Sequence, residues 1–275
     1  MKIQRLLIGL CFAGALAAQT FIQMSDPQFG MYTRNANFAH ETVNFEFAIA
    51  SANRLKPAFV IVTGDLINES SSAAQAAEYK RIAAKLDPGI KLFSVAGNHD
   101  VGNEATRDTL ARYRERNGPD YYSFRIGEIA GIVLNSNLEK GTKNVPDEAA
   151  KMEAWFQAAL EKAKAGGAKQ IIVFQHIPFF TKAPDEPEVY DNVPADVRRR
   201  YLALMRGRGV KWVFTGHLHY NLEARDGDLQ LVATGPVGMP IGKGKSGFRV
   251  VQVTPGAVKH QFFDFGELPE TLEVK

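Results

Sequence analysis

The chain has 275 residues, 45% hydrophobic and 23% charged, with 24 Gly and 13 Pro, which excludes a disordered, collagen-like or disulfide-built protein. Its formal charge of +3 is too small to argue for a nucleic-acid or membrane-surface partner, and the single Cys11 cannot close an internal disulfide. The length suits one large α/β domain with a sizeable core.

Lys2 and Arg5 form a basic start, the apolar run Leu6–Ala18 follows, and Ala15-Leu16-Ala17 offers small residues for cleavage. The run falls short of the ~20 residues that cross a bilayer. Residues 1–18 are therefore expected to be a signal peptide without a stable membrane anchor, and residues 19–275 an exported domain, periplasmic or extracellular. A buried first strand or helix is the alternative. Cleavage removes Cys11, Lys2 and Arg5, so the formal charge falls from +3 to +1.

Beyond this segment, strand and helix patterns alternate. Thr20–Met24 reads as a short buried strand, and Ala36–Leu55 as a helix ending before Pro57. Ala58–Thr63 is a β-branched strand, Ser72–Leu86 a helix closed by Asp87-Pro88-Gly89, and Leu92–Ala96 a strand. Arg107–Arg116 is helical and stops at Asn117-Gly118-Pro119. Tyr121–Ile126 and Ile129–Leu134 flank Gly127-Glu128, a hairpin signal. Then come the helix Asp147–Lys164, the strand Gln170–Phe174, the helix Ala195–Arg208 and the strand Val210–Thr215. From Asn221 the pattern is all-β, and these later strands are expected to form a second sheet packed on the first.

Five strands run directly into polar motifs: Asp26-Pro27-Gln28, Gly64-Asp65, Gly97-Asn98-His99-Asp100, Gln175-His176 and Gly216-His217-Leu218-His219. Loops at the carboxyl ends of strands in an open α/β sheet gather on one edge, where ligands bind. Carboxylate, amide and imidazole groups are the ligands that hard and borderline cations take. Four of the six histidines fall in these motifs. His217 and His219, two residues apart, point to one side if the backbone is extended. Taken singly, an Asp after a strand also fits a cap or turn; five such motifs in succession indicate a two-metal site.

The order D-x-Q, G-D, G-N-H-D, Q-H, G-H-x-H is similar to that of the calcineurin-like metallophosphoesterases, and the resemblance covers nearly the whole chain after residue 18. Asp26–Gly30, Gly64–Ile67, Gly97–Asn103, Asp120–Phe124, Leu134–Ser136 and Val173–Pro178 most resemble a eukaryotic branch described as serine/threonine phosphatases. The resemblance implies a single-domain four-layer α/β/β/α sandwich around a dinuclear metal centre. It makes Asp65 the bridging carboxylate, with Asp26, Gln28 and His219 completing one metal site and Asn98, His176 and His217 the other. His99 is implied as general acid beside the leaving group, with Asp100 oriented towards it. The implied chemistry is attack on a phosphomonoester by a bridging, metal-activated water, with phosphoserine or phosphothreonine as possible substrates. A phosphodiesterase or nucleotidase, and a non-catalytic metal-dependent binder of phosphorylated ligands, remain alternatives.

Gln28 replaces the usual histidine of D-x-H. An amide oxygen is harder than imidazole, which favours Mn²⁺ or Mg²⁺ over Zn or Fe; the alternative is that Gln28 only hydrogen-bonds a bound water. Asn68 stands where purple acid phosphatases carry a metal-bound tyrosine, and Val95-Ala96 where the large serine/threonine phosphatases carry an arginine. Tyr121 and Tyr122 are better read as strand packing than as pocket, while for Phe179 and Phe180 core packing and a place flanking the substrate stand equal. Lys182–Pro194 reads as a solvated loop, with cover for the site as the alternative, and Arg34 and Arg107 are weaker candidates for phosphate contacts.

Overall fold

The computed structural model describes residues 18–274. The expected signal segment, Ala18 apart, lies outside them. The elements run β1 (Gln19–Met24), α1 (Ala39–Leu55), β2 (Phe59–Val62), α2 (Ala73–Ala83), β3 (Lys91–Ser94), α3 (Asn98–Val101), α4 (Arg107–Asn117), β4 (Tyr122–Ile126) and β5 (Ile129–Val133). They continue as α5 (Asn137–Lys140), α6 (Pro146–Ala165), β6 (Gln170–Phe174), α7 (Ala195–Arg208), β7 (Trp212–Thr215), β8 (Leu222–Asp226), β9 (Leu229–Ala233), β10 (Gly247–Val253) and β11 (Val258–Asp264). Among the described residues no helix is long and apolar enough to cross a membrane.

Two sheets result, with strand orders β11-β10-β1-β2-β3 and β4-β5-β6-β7-β9-β8. β1, β2 and β3 are parallel, as are β5, β6, β7 and β9; antiparallel partners finish the sheets. β2 and β5 are buried along their whole length, as parallel strands covered on both faces must be. Alternate residues face opposite ways. Phe21, Phe59, Phe174 and Phe214 meet between the sheets, with Phe21 centred 4.6 Å from Phe59 and 5.7 Å from Phe214. Ile22, Val60 and Val62 face outward, into a core shared with Phe45 and Ile49 of α1. On the far side, α6 and α7 cover the second sheet. The layering is α/β/β/α, as the resemblance implies.

The later strands do not build a sheet of their own. β8 and β9 extend the sheet of β4–β7, while β10 lies antiparallel to β1, pairing Gln19 with Val253. Hairpins satisfy exposed edges wherever those edges are free, and alternation along a strand does not say which edge that is. α1 starts at Ala39 rather than Ala36. Arg34 and Asn35 are in the left-handed region (φ 52° and 69°), and Thr33 Oγ1 donates to the Asn37 carbonyl at 2.5 Å, so this stretch is a closed turn that cannot join the helix.

Candidate metal centre

The loops after β1, β2, β3, β6 and β7 meet at one edge of the sandwich, and backbone bonds join them in pairs. The Asp26 amide donates to the Gly64 carbonyl at 3.1 Å and the Gln28 amide to the Asp65 carbonyl at 2.8 Å. In the other sheet the Gly216 amide donates to the His176 carbonyl at 3.0 Å. Two groups of ligand atoms form there, Asp65–His176–His217 and Asp26–Asp65–His219, each with its atoms within 4.8 Å of one another and all five residues buried. Asp65 belongs to both.

The backbone carries strain at this spot. Asp26, Gln28, Asp65, His217 and His219 all have positive φ, between 39° and 70°. Side chains with a Cβ adopt that region at a cost, and it turns each ligand inward from a loop running across the sheet edge. His217 and His219 therefore do not point to one side from extended backbone, as expected; they leave a left-handed turn and join different ligand groups. Close approach also requires glycine: a Cβ on Gly97 would collide with the backbone and carboxylate of Asp65, and one on Gly216 with the Ser25 hydroxyl.

Four histidines each hand one ring nitrogen to a backbone carbonyl: His176 Nδ1 to Thr63 (2.8 Å), His219 Nδ1 to Met239 (2.5 Å), His217 Nε2 to Tyr190 (3.4 Å) and His99 Nδ1 to Asn68 (3.0 Å). A carbonyl only accepts, so each of these nitrogens carries the proton and the opposite one is left for a ligand or substrate. This is the arrangement that fixes metal-binding imidazoles. His176 Nε2 lies 3.1 Å from Asp65 Oδ2, and His219 Nε2 3.5 Å from Asp26 Oδ1.

The two amides are oriented as well. Gln28 Nε2 donates to Asn68 Oδ1 at 3.0 Å, and Gln28 Oε1 is buried without a partner. Asn98 Nδ2 donates to the Tyr190 hydroxyl at 3.1 Å, with Oδ1 3.1 Å from His176 Nε2. Both amides thus commit their nitrogens; Asn98 turns its oxygen to the centre, and Gln28 keeps a buried oxygen unpaired.

Electrostatics agree. Burial works against ionisation of Asp65, yet His176 outweighs it and holds the carboxyl well below the usual carboxylate range. Burial likewise pushes His176 down, but Asp65 and Asp26 lift it to about 9. Burial raises Asp26, with His219 and His176 opposing, and lowers His217 to about 3 with His176 adding to the effect. Among the described residues only histidines oppose these two buried aspartates as cations. The donor set fits a pair of divalent cations: shared buried carboxylate, oriented imidazoles, and an amide oxygen with no other partner.

Asp100 departs from expectation. Its carboxylate accepts from the amides of Leu66 (3.0 Å), Ile67 (3.2 Å) and Gly97 (2.8 Å), stapling the loops after β2 and β3. Buried, and beside Asp65, it is raised to about 7. It does not orient His99; the Asn68 carbonyl does, while the His99 amide donates to Asp65 Oδ1 at 2.8 Å. The carboxylate is drawn to three amides at the turn, which outcompete one part-buried ring.

The loop 182–194 reaches the centre through Tyr190, whose ring centroid is 5.0 Å from that of His217. Asn68 and Tyr190 carry no ligand signature, and the one clue to Tyr190 was an aromatic residue inside a polar, proline-rich loop. Tyr122, hydroxyl-bonded to the Ser94 carbonyl, and the fully buried Phe179 and Phe180 serve packing. Arg107 pairs with Asp147 at the surface.

Residues 20–221 match the model of the calcineurin-like phosphoesterase family. The chain is 32% identical over 265 residues to serine/threonine-protein phosphatase CPPED1 of Danio rerio, covering 91% of this chain and 86% of that protein. It is 32% identical over 266 residues to the Homo sapiens protein of the same name, with coverages of 91% and 85%. In fold it is similar to a dimetal phosphatase from Danio rerio, with TM-score 0.68, 14% identity, and 89% and 95% of the two chains covered.

Proposed function

The chain belongs to the calcineurin-like phosphoesterase family, and from that premise we propose that it is a metal-dependent phosphomonoesterase acting on phosphoserine or phosphothreonine. The observation that carries the reading is the pair of ligand groups sharing Asp65. The family uses a dinuclear metal centre. Asp65 is assigned as the shared ligand, with Asp26, Gln28 and His219 on one ion and Asn98, His176 and His217 on the other. When bound, such a pair supplies Lewis-acid polarisation of phosphate oxygens and lowers the pKa of a water nucleophile. The carboxamide oxygens of Gln28 and Asn98 favour Mn²⁺ or Mg²⁺.

The chain's own residues do the rest. His99 gives Nδ1–H to the Asn68 carbonyl, so Nε2 is the atom available to protonate the departing oxygen. Asp100 keeps the turn that carries His99 tied to the turn that carries Asp65. The preference for phosphoserine or phosphothreonine rests on the relatives named serine/threonine-protein phosphatase. Export after cleavage near Ala17 or Ala18 is part of the same reading. It is supported by Lys2, Arg5 and the run Leu6–Ala18, which ends where β1 begins.

One experiment separates the activities: p-nitrophenyl phosphate, a phosphoserine peptide and bis(p-nitrophenyl) phosphate are assayed after chelation and again with added Mn²⁺. The monoesters should turn over only with metal, and faster than the diester. Faster diester cleavage would make the chain a phosphodiesterase. Metal-dependent phosphate binding without turnover would make it a binder. For export, N-terminal sequencing of protein from its host should begin at Ala18 or Gln19; an intact start on the mature protein would refute it.

A further inference from the structure

We propose that Tyr190 is a positioning residue that completes the second half of the metal centre, the half assigned to Asn98, His176 and His217. The proposal rests on that assignment of ligands, not on any particular substrate. Three contacts carry it. The Tyr190 carbonyl takes the Nε2 proton of His217 at 3.4 Å, which leaves Nδ1 as the nitrogen able to bind an ion. The Tyr190 hydroxyl accepts from Asn98 Nδ2 at 3.1 Å, so the amide presents Oδ1 to the centre. The ring lies 5.0 Å from the His217 ring, tilted by 41°, and restricts its rotation. One residue thus sets both the tautomer of an imidazole and the flip of an amide, the two properties that decide whether these groups offer a lone pair or a proton.

Tyr190 is 55% exposed, and an exposed side chain on an unsupported loop would position nothing. This loop is supported. Lys140, at the end of α5, donates from Nζ to the carbonyls of Val189 (2.8 Å) and Asn192 (2.6 Å), the residues bracketing Tyr190. Glu186 accepts from the amides of Thr181 and Lys182, both at 2.7 Å, and from Asn192 Nδ2 at 2.7 Å. The first half of the centre receives nothing from this loop: Gln28 is oriented by Asn68 and His219 by Met239. Loss of the Tyr190 contacts should therefore weaken one ion and spare the other.

The test is Mn²⁺ titration of the full chain by calorimetry, with electron paramagnetic resonance to detect the spin-coupled pair. The unaltered protein should bind two ions. Tyr190→Phe keeps ring and carbonyl but removes the hydroxyl; it should bind the first ion unchanged and the second about 10- to 100-fold more weakly, with loss of the coupled signal at limiting metal. Lys140→Met frees the loop without touching a ligand or the tyrosine, and should weaken the second ion in the same direction. Two unchanged affinities in Tyr190→Phe would overturn the proposal, as would an equal loss at both sites or an unaltered protein that binds only one ion. Two ions bound with no ester hydrolysed would sink the phosphatase reading and leave this one standing. Unchanged metal binding with a raised KM would make Tyr190 a substrate contact instead.

Discussion

Gln28 Nε2 donates to Asn68 Oδ1 at 3.0 Å, and this one bond decides which end of the buried Gln28 amide is left free to take a ligand. The buried Oε1 then has no protein partner, a condition worth about 1–3 kcal/mol if nothing fills it. A cation ligand is what the position calls for.

Asn68→Ala should therefore weaken the first ion about 10- to 100-fold, because the amide can flip. His99 should keep its tautomer, since its partner is the Asn68 backbone carbonyl, which alanine retains. Gln28→His should shift preference from Mn²⁺ towards Zn²⁺ or Fe²⁺, imidazole being the softer donor. Metal titrations and activity across a metal panel check both. An unchanged preference in Gln28→His would remove Gln28 from the ligand set.

His99→Asn should retain both ions yet lose about 10²-fold or more in kcat on phosphoserine, the contribution of a placed general acid. The loss should be much smaller on p-nitrophenyl phosphate, whose leaving group needs little help from a proton. Equal losses on the two substrates would mean that His99 supports the site without donating.

Metal uptake should release a proton. His176 is held at about 9 in the free protein, above its ordinary 6.5, by Asp65 and Asp26 against the opposing effect of burial. A raised histidine stabilises the metal-free fold fully below its unfolded value near 6.5, and that contribution disappears as pH rises through about 9. An ion at Nε2 must displace the proton at any lower pH, so affinity should climb from pH 6 to 9. Calorimetry at pH 7 in buffers of different ionisation enthalpy reads the proton directly. Buffer-independent heats would show that His176 is already neutral.

Phe21→Ala should cost about 3–5 kcal/mol, because the ring fills the space between the sheets against Phe59, Phe174 and Phe214 and nothing small can take its place. Chemical denaturation measures this. A loss below about 1 kcal/mol would mean that the two sheets close over the gap.

Much of this was legible in the chain because period and punctuation are local. The strand Gln170–Phe174 and the helix Ala195–Arg208 fall where a short β-branched apolar run, helical spacing and a following glycine place them. The ligand motifs stood out because each follows a strand within a few residues. What stayed hidden depends on residues distant in sequence. Asp100 turns to the Leu66 amide 34 positions earlier, and Tyr190 meets Asn98 92 positions away. The edge that β10 chooses depends on β1. The left-handed backbone at His217 and His219 was missed for another reason: side chains that rarely adopt it give no local sign that the surrounding structure will enforce it.

The pairing of β1 with β10 has a consequence during synthesis. The strand that delivers Asp26 is flanked on one side by β2, available early, and on the other by β10, whose Val253 is made more than 230 residues after its partner Gln19. At ribosomal speeds of about 5–20 residues per second, roughly 230 residues of delay leave that edge of β1 open for on the order of 10–50 s. By the close of that interval the nascent chain holds every assigned ligand and all six strands of the second sheet, while the first sheet still lacks β10 and β11. Completion of the first sheet, and with it the seat of the Asp26 loop, is thereby postponed until β10 has been made, after the last assigned ligand, His219, is already in the chain.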